Sequence, residues 1–140
     1  MANNEKLGSA REYYERGSDY RAKGDHDQAI ADYSQSIQLD PRPVTYIGRG
    51  LSYMSRYLDM ANGNTQGSQI DLDMAFADFN LVIQRAPQMA GGAYTGRGLL
   101  YYALKDYDQA IADFEAALQI DPNNPDARQY LEEARQTRGR

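Results

Sequence analysis

The side chains of this chain that could do chemistry are few. Its 140 residues include no cysteine and one histidine, His26, which excludes thiol nucleophiles, cysteine-based zinc or iron–sulfur sites and multi-histidine metal centres. Three Asp-x-Asp pairs, beginning at Asp25, Asp71 and Asp106, could bind a divalent cation. Each pair also directly precedes an apolar segment with helical periodicity, where an aspartate caps the helix. We therefore interpret the pairs as helix caps, and expect no metal and no cofactor.

The other candidate side chains also have structural interpretations. His26 lies in a turn between two predicted helices, where a solvated or aromatic-packed residue is expected rather than a catalytic base. Arginine and aspartate recur at equivalent positions, which predicts structural ion pairs between packed helices rather than a phosphate site. The arginines are Arg16, Arg49 and Arg97, and the aspartates are Asp32, Asp78 and Asp113.

Composition narrows the classes of partner. The formal net charge of −5 argues against nucleic acid, because nucleic-acid binding usually depends on clustered lysine and arginine. No apolar run approaches the roughly 20 residues that cross a bilayer, and the first residues lack the apolar core of a secretory signal. We expect a soluble, cytoplasmic protein that does not insert into a membrane.

The elements that position these side chains form an internal repeat. Residues 25–41, 71–87 and 106–122 share one order: Asp, Asp two on, Ala two further, Asp three further, then an aromatic residue, and Pro eight after that. Residues 13–20, 46–53 and 94–101 each have Tyr, two residues, Arg-Gly, two residues and Tyr. Three two-part units follow from this pattern.

Both parts of each unit are predicted helices. Ala29, Ile30, Tyr33 and Ile37 form one apolar stripe at helical spacing. Asp25 and Gln28 have the spacing of a capping box, in which the side chain three residues after the N-cap bonds back to the N-cap backbone. A proline ends each second helix.

The repeated columns of Tyr, Gly, Tyr, Ala, aromatic residue and Pro resemble the tetratricopeptide repeat. The first unit shows them as Tyr13, Gly17, Tyr20, Ala29, Tyr33 and Pro41. This resemblance implies an all-α fold, a right-handed superhelical stack of antiparallel helix pairs in one domain. Its predicted parts are a polar segment 1–9, repeats 10–42, 43–90 and 91–124, and a capping helix with a basic tail at 125–140.

The second unit carries an insertion. Gly17 to Ala29 and Gly98 to Ala110 each span 12 residues, whereas Gly50 to Ala75 spans 25, a surplus of 13. The extra residues, about 57–70, predict a longer first helix that ends near Asn62, followed by a mobile loop over 65–69. They could act as a lid over a groove or be a tolerated loop extension, which changes stability little.

The resemblance also implies a concave groove lined by the first helices, with a non-catalytic role as an adapter or scaffold that binds a partner peptide. The expected groove is largely apolar and rich in tyrosine, and so suits an apolar or aromatic segment. Its residues are Tyr14, Ile47, Leu51, Met54, Thr95, Leu99, Tyr102 and Tyr130. The alternative function is structural self-association into a homo-oligomer, and an enzyme is the weakest of the three hypotheses.

Relatives that bind acidic chaperone tails use a carboxylate clamp of Lys, Asn and Arg on these helices. The matching positions here hold Tyr14, Ser18, Gly48, Gly92 and Gly96. None of these can pair with a carboxylate as a cation would, so a chaperone tail is not expected as the partner. Gly48 and Gly96 would either leave room for a ligand or allow close helix packing, and the sequence leaves both open.

Overall fold

The computed structural model describes residues 6–62 and 68–140, and all regular structure in that part of the chain is helical. This confirms the all-α class. The α-helices are α1 (Ala10–Ala22), α2 (His26–Leu39), α3 (Pro43–Asn62), α4 (Gln69–Arg85), α5 (Gly91–Ala103), α6 (Tyr107–Ile120) and α7 (Pro125–Arg138), with a short 3-10 helix at Pro87–Met89. No helix within the described ranges is long and apolar enough to cross a membrane.

The chain divides into two compact units, Met1–Ala77 and Asp78–Arg140. The first unit contains α1 to α3 and the beginning of α4. The second contains the rest of α4 together with α5 to α7. The repeat boundaries at 42, 90 and 124 remain predictions.

Each unit contains an antiparallel helix pair. In the first, the Ser36 hydroxyl donates to the carbonyl of Ala10, and Arg16 contacts Asp32, so α2 runs back along α1. In the second, Gly91 lies beside Ile120 and Arg97 contacts Asp113, so α5 and α6 pair in the same way.

Two of the predicted aspartate caps are confirmed. Asp25 and Asp106 accept hydrogen bonds at 3.3 Å from the backbone N–H groups of Gln28 and Gln109. Such caps satisfy donors that the first turn of a helix leaves unpaired. The prolines also act as predicted, because α2, α4 and α6 each end two residues before Pro41, Pro87 and Pro122.

The prediction that Asp71 also caps a helix is wrong. Helix α4 begins at Gln69, and the Ser68 hydroxyl accepts from the backbone N–H of Asp71 at 3.3 Å. The insertion supplies Ser68, so the helix begins before the repeated segment does. Asp71 is instead buried, with its side chain 3% exposed, and forms an ion pair with Arg56 of α3.

The insertion extends α3 as predicted. This helix has 20 residues and ends at Asn62, whereas α1 has 13. The expected loop falls partly outside the described residues, and Gln69, assigned to that loop from the sequence, lies in α4. The extension contacts the first residue of α2, because His26 Nε2 lies 2.9 Å from an Asp59 carboxylate oxygen.

The expectation that His26 lies in a turn is wrong, because it is the first residue of α2. Its side chain is 15% exposed and bonds to Asp59, so it is not solvated as expected. Its Nδ1 is buried and has no hydrogen-bond partner in the described part of the chain.

The predicted ion pairs between helices are confirmed in the first and third repeats. Arg16 donates to both carboxylate oxygens of Asp32, at 2.7 and 2.9 Å. Arg97 binds Asp113 in the same bidentate way, at 2.9 and 2.8 Å. Hydrogen bonding to these aspartates raises the pKa of both arginines above its ordinary value. In the second repeat, Arg49 donates to the Ser34 hydroxyl.

Candidate functional site

The floor of the site in the first unit is the side chain of Tyr33. It comes from α2, has no exposed surface, and reaches between α1 and α3. A Cβ atom added to Gly48 would lie 2.7 Å from the Tyr33 ring, and one added to Gly17 would lie 3.2 Å from it. Both glycines are thus required by close packing of helices around one aromatic ring.

The same relation holds in the second unit, where a Cβ on Gly96 would lie 2.5 Å from the ring of Phe79. Of the two alternatives that the sequence left open for Gly48 and Gly96, close packing is the one observed. The space beside these glycines is filled by the protein's own aromatic residues.

The hydroxyl of Tyr33 makes a polar contact with α1. It lies 2.9 Å from the Ser18 hydroxyl and accepts a hydrogen bond from Arg21 Nε at 3.2 Å. The ring of Tyr14 contacts that of Tyr33, with centroids 5.8 Å apart. Tyr14, Ser18 and Arg21 follow at i, i+4 and i+7, so they share one face of α1.

Helix α3 contributes apolar side chains to the first unit. Ile47 and Leu51 are half-buried, so each keeps surface available to a ligand. Met54 is 7% exposed and therefore has little free surface. Val44, which precedes them on α3, is 45% exposed.

A cavity of about 600 Å³ lies at the beginning of α1 and α3 in the same unit. Tyr14 and Val44 line it, together with Arg11 and Arg42. Each of these arginines forms an ion pair with a carboxylate on its own segment, Arg11 with Glu15 at 2.9 Å and Arg42 with Asp40 at 2.8 Å. The cavity wall is therefore close to neutral in charge.

Thr95 and Leu99 are the predicted groove residues on α5 of the second unit. Thr95 is 9% exposed, and its hydroxyl donates to the carbonyl of Gly91 and accepts from the side-chain amide of Asn124. Leu99 packs against the core cluster built around Phe114. Both side chains therefore have roles within the fold.

Tyr102 and Tyr130 are the predicted groove tyrosines of this unit. Tyr102 packs edge to face against Tyr107, with centroids 5.5 Å apart. Tyr130, on α7, stacks on Phe114 at 6.1 Å. Both are half-buried, which leaves part of each ring accessible.

Two contacts were not predicted from the sequence. The first is the hydrogen-bonded trio of Ser18, Tyr33 and Arg21. The sequence does contain a signal for this trio: the repeated aromatic position is tyrosine in the first repeat, at Tyr33, and phenylalanine in the other two, at Phe79 and Phe114. A buried hydroxyl needs polar neighbours. The second is the ion pair of Arg56 with Asp71, whose signal was hidden by the insertion that separates the two residues along the chain.

Helix pairs in tandem, with half-buried aromatic and apolar side chains on their first helices, define a helical repeat protein of the kind that binds other chains. Among the described residues, no group of three or more His, Cys, Asp or Glu could hold a metal ion.

The family model of the tetratricopeptide repeat matches residues 10–43 and 92–124. These two segments belong to the tetratricopeptide-repeat family. The matched residues cover the predicted first and third repeats, while the predicted second repeat carries the insertion.

Curated relatives are much longer proteins. RNA polymerase II-associated protein 3 is 30% identical in Homo sapiens over 118 residues, which are 84% of this chain and 16% of that protein. Its counterpart from Xenopus tropicalis is 31% identical over 117 residues. Serine/threonine-protein phosphatase 5 of Rattus norvegicus is 28% identical, covering 91% of this chain and 23% of the phosphatase. The chain thus spans less than a quarter of these relatives.

Two similar solved structures contain a bound partner. The first TPR of Spaghetti (RPAP3) bound to the HSP90 peptide SRMEEVD has a TM-score of 0.77 and 26% identity, covering 94% of this chain and 97% of that one. The complex of the TPR2B domain of yeast Sti1 with pHsp70 has a TM-score of 0.70 and 25% identity, covering 91% and 97%.

These structures overturn the exclusion of a chaperone tail as partner. Domains similar to this chain bind HSP90 and Hsp70 partners, so the exclusion is wrong. It depended on side-chain type at five fixed positions. Arg21 is a cation outside those positions that shares the α1 face of Tyr14 and Ser18 and is hydrogen-bonded to Tyr33.

Proposed function

We propose that this chain is a non-catalytic protein-interaction module that binds an extended peptide segment of a partner protein. The observation that carries the proposal is its likeness, over 94% of its length, to a TPR domain bound to the peptide SRMEEVD. The peptide bound to that domain is therefore a suitable probe of the proposed function in this chain.

The face formed by α1 and α3 of the first unit supports a peptide ligand. Its floor is rigid, because Tyr33 is fully buried and closely packed against Gly48. Ile47, Leu51 and Tyr14 keep accessible surface above that floor. A preformed surface loses little conformational freedom on binding, which favours affinity.

The second unit supports the proposal through Tyr102 and Tyr130, whose rings are each fixed by a neighbouring aromatic residue. Fixed tyrosines offer a large contact area together with a hydroxyl that can hydrogen-bond a peptide. Leu99, half-buried beside them, adds apolar surface.

The proposal is tested by titrating the chain into fluorescently labelled SRMEEVD and following the anisotropy. Ile47→Ser and Leu51→Ser remove apolar surface from the α1–α3 face, and each is expected to weaken binding about tenfold, a typical loss for one good apolar contact. Leu104→Ser is the matched control, because Leu104 is 44% exposed in the turn after α5. Circular dichroism checks that each variant keeps its helix content. Binding by the Ile47 and Leu51 variants at the unmodified affinity would contradict this location of the site.

Self-association is the second candidate function. It is favoured by large apolar side chains that are exposed in the isolated chain, such as Ile70 at 72% and Met89 at 61%. Light scattering on size-exclusion fractions at two concentrations separates the candidates. A monomer at high micromolar concentration that still binds peptide excludes self-association as the main role.

A further inference from the structure

Arg21 differs from the other two arginines of α1. Arg11 forms an ion pair with Glu15, and Arg16 is bound by Asp32. Arg21 is exposed and forms no ion pair with any described residue. Its hydrogen-bond partner is neutral, the Tyr33 hydroxyl at 3.2 Å from Nε. The positive charge of Arg21 is therefore uncompensated on the face that also carries Tyr14 and Ser18.

The contact with Tyr33 also sets the orientation of the guanidinium. Tyr33 has no exposed surface, and its hydroxyl is held on the other side by Ser18 at 2.9 Å. Because Nε is used in this bond, the two terminal nitrogens remain as donors. A guanidinium presents such donors in a planar fork that matches a carboxylate.

We propose that Arg21, positioned by the hydroxyl of Tyr33, is a specificity-determining residue that pairs with an acidic side chain of the bound peptide. This inference rests on the proposed function and names the chemistry that the α1–α3 face selects. Less side-chain entropy is lost on binding when the cation is already oriented.

The repeat pattern limits this acidic contact to the first repeat. At the positions equivalent to Ser18, the other repeats have Leu51 and Leu99. At those equivalent to Arg21 they have Met54 and Tyr102. The aromatic column also changes from Tyr33 to Phe79 and Phe114. All three members of the polar trio are thus replaced together, and none of the replacing side chains carries a positive charge.

Two labelled probes test the inference: SRMEEVD, and SRMQQVN, in which amides replace the three acidic side chains. The unmodified chain is expected to prefer the acidic probe. Arg21→Gln should weaken binding of SRMEEVD about tenfold, which is the loss typical of a charge-assisted pair. The affinity for SRMQQVN should stay unchanged. Tyr33→Phe keeps the buried ring, as in the other repeats, and should weaken the acidic probe about threefold by freeing Arg21.

Lys23→Gln is the control, because it removes one positive charge from the same end of α1 at an exposed residue. It should leave both affinities close to those of the unmodified chain. The inference is overturned if Arg21→Gln binds SRMEEVD normally, if Lys23→Gln causes the same loss, or if the unmodified chain binds the two probes equally. The proposed function survives those three results, whereas failure of both probes to bind the unmodified chain overturns the two proposals together.

Discussion

Gly48 of α3 and Tyr33 of α2 are packed so closely that a Cβ at position 48 would lie 2.7 Å from the tyrosine ring. This contact places the aromatic ring of the first repeat beneath the following helix. The ring fills the space that a side chain at position 48 would need.

Gly48→Ala is expected to destabilise the fold by about 1–2 kcal/mol. Alanine favours a helix by roughly 1 kcal/mol over glycine, but overpacking of a core typically costs about 1–3 kcal/mol. Tyr33 has little freedom to move, because its hydroxyl is hydrogen-bonded to Ser18 and Arg21. Urea unfolding followed by circular dichroism measures the change. Gly91→Ala is the control, since a Cβ there lies at an ordinary 3.7 Å from Ile120. A stability gain at position 48 would contradict the packing.

Asp71→Asn and Asp106→Asn should differ in effect, although the two aspartates occupy equivalent positions of the repeat. Asn caps a helix about as well as Asp, so Asp106→Asn should change the free energy of unfolding by less than about 0.5 kcal/mol. Asp71→Asn removes the buried partner of Arg56, which keeps only its pair with exposed Asp27, and should destabilise by about 2 kcal/mol. Chemical denaturation of both variants checks this. Equal losses would mean that Asp71 acts only as a cap.

Arg16→Met is expected to lower the free energy of unfolding by about 3 kcal/mol, because it leaves the buried carboxylate of Asp32 without its cation. The pKa of Arg16 is raised in the folded chain, chiefly by its hydrogen bond to Asp32. A raised pKa stabilises the fold fully below the unfolded pKa, and the stabilisation is lost only as the pH rises through the folded pKa.

For an arginine that loss lies far above neutral pH. Unfolding experiments at pH 6 and pH 9 should thus give the same difference between Arg16→Met and the unmodified chain. Arg11→Met is the matched control, since Arg11 is exposed and pairs with exposed Glu15; it should change stability by less than about 1 kcal/mol. A difference for Arg16→Met that shrinks markedly at pH 9 would contradict this assignment.

Local sequence signals predicted most of the helices. Asp25 and Asp106 cap where the spacing to Gln28 and Gln109 indicated, and α3 runs to Asn62 as its periodicity indicated. These features depend on residues within a few positions of each other, so the sequence contains the whole signal. Asp71 departs from the pattern because an insertion brought Ser68 ahead of it as the cap.

The candidate site was less predictable. Ile47 and Leu51 keep accessible surface, while Met54 and Thr95, taken from the same family columns, are nearly buried. A column gives the helix face on which a residue lies, but the exposed fraction depends on which side chains of other helices pack beside it. Thr95, for example, is covered where Asn124, 29 residues away, hydrogen-bonds to it.

By itself, the sequence determined the helix type, the repeat and its tyrosine columns, because periodicity and capping act over short range. Only the tertiary structure decided that Tyr33 reaches between α1 and α3, that Gly48 is required by its ring, and that Arg21 is oriented by its hydroxyl. These contacts join residues 12 or more positions apart. Their geometry arises from the packing of complete helices, which no local pattern specifies.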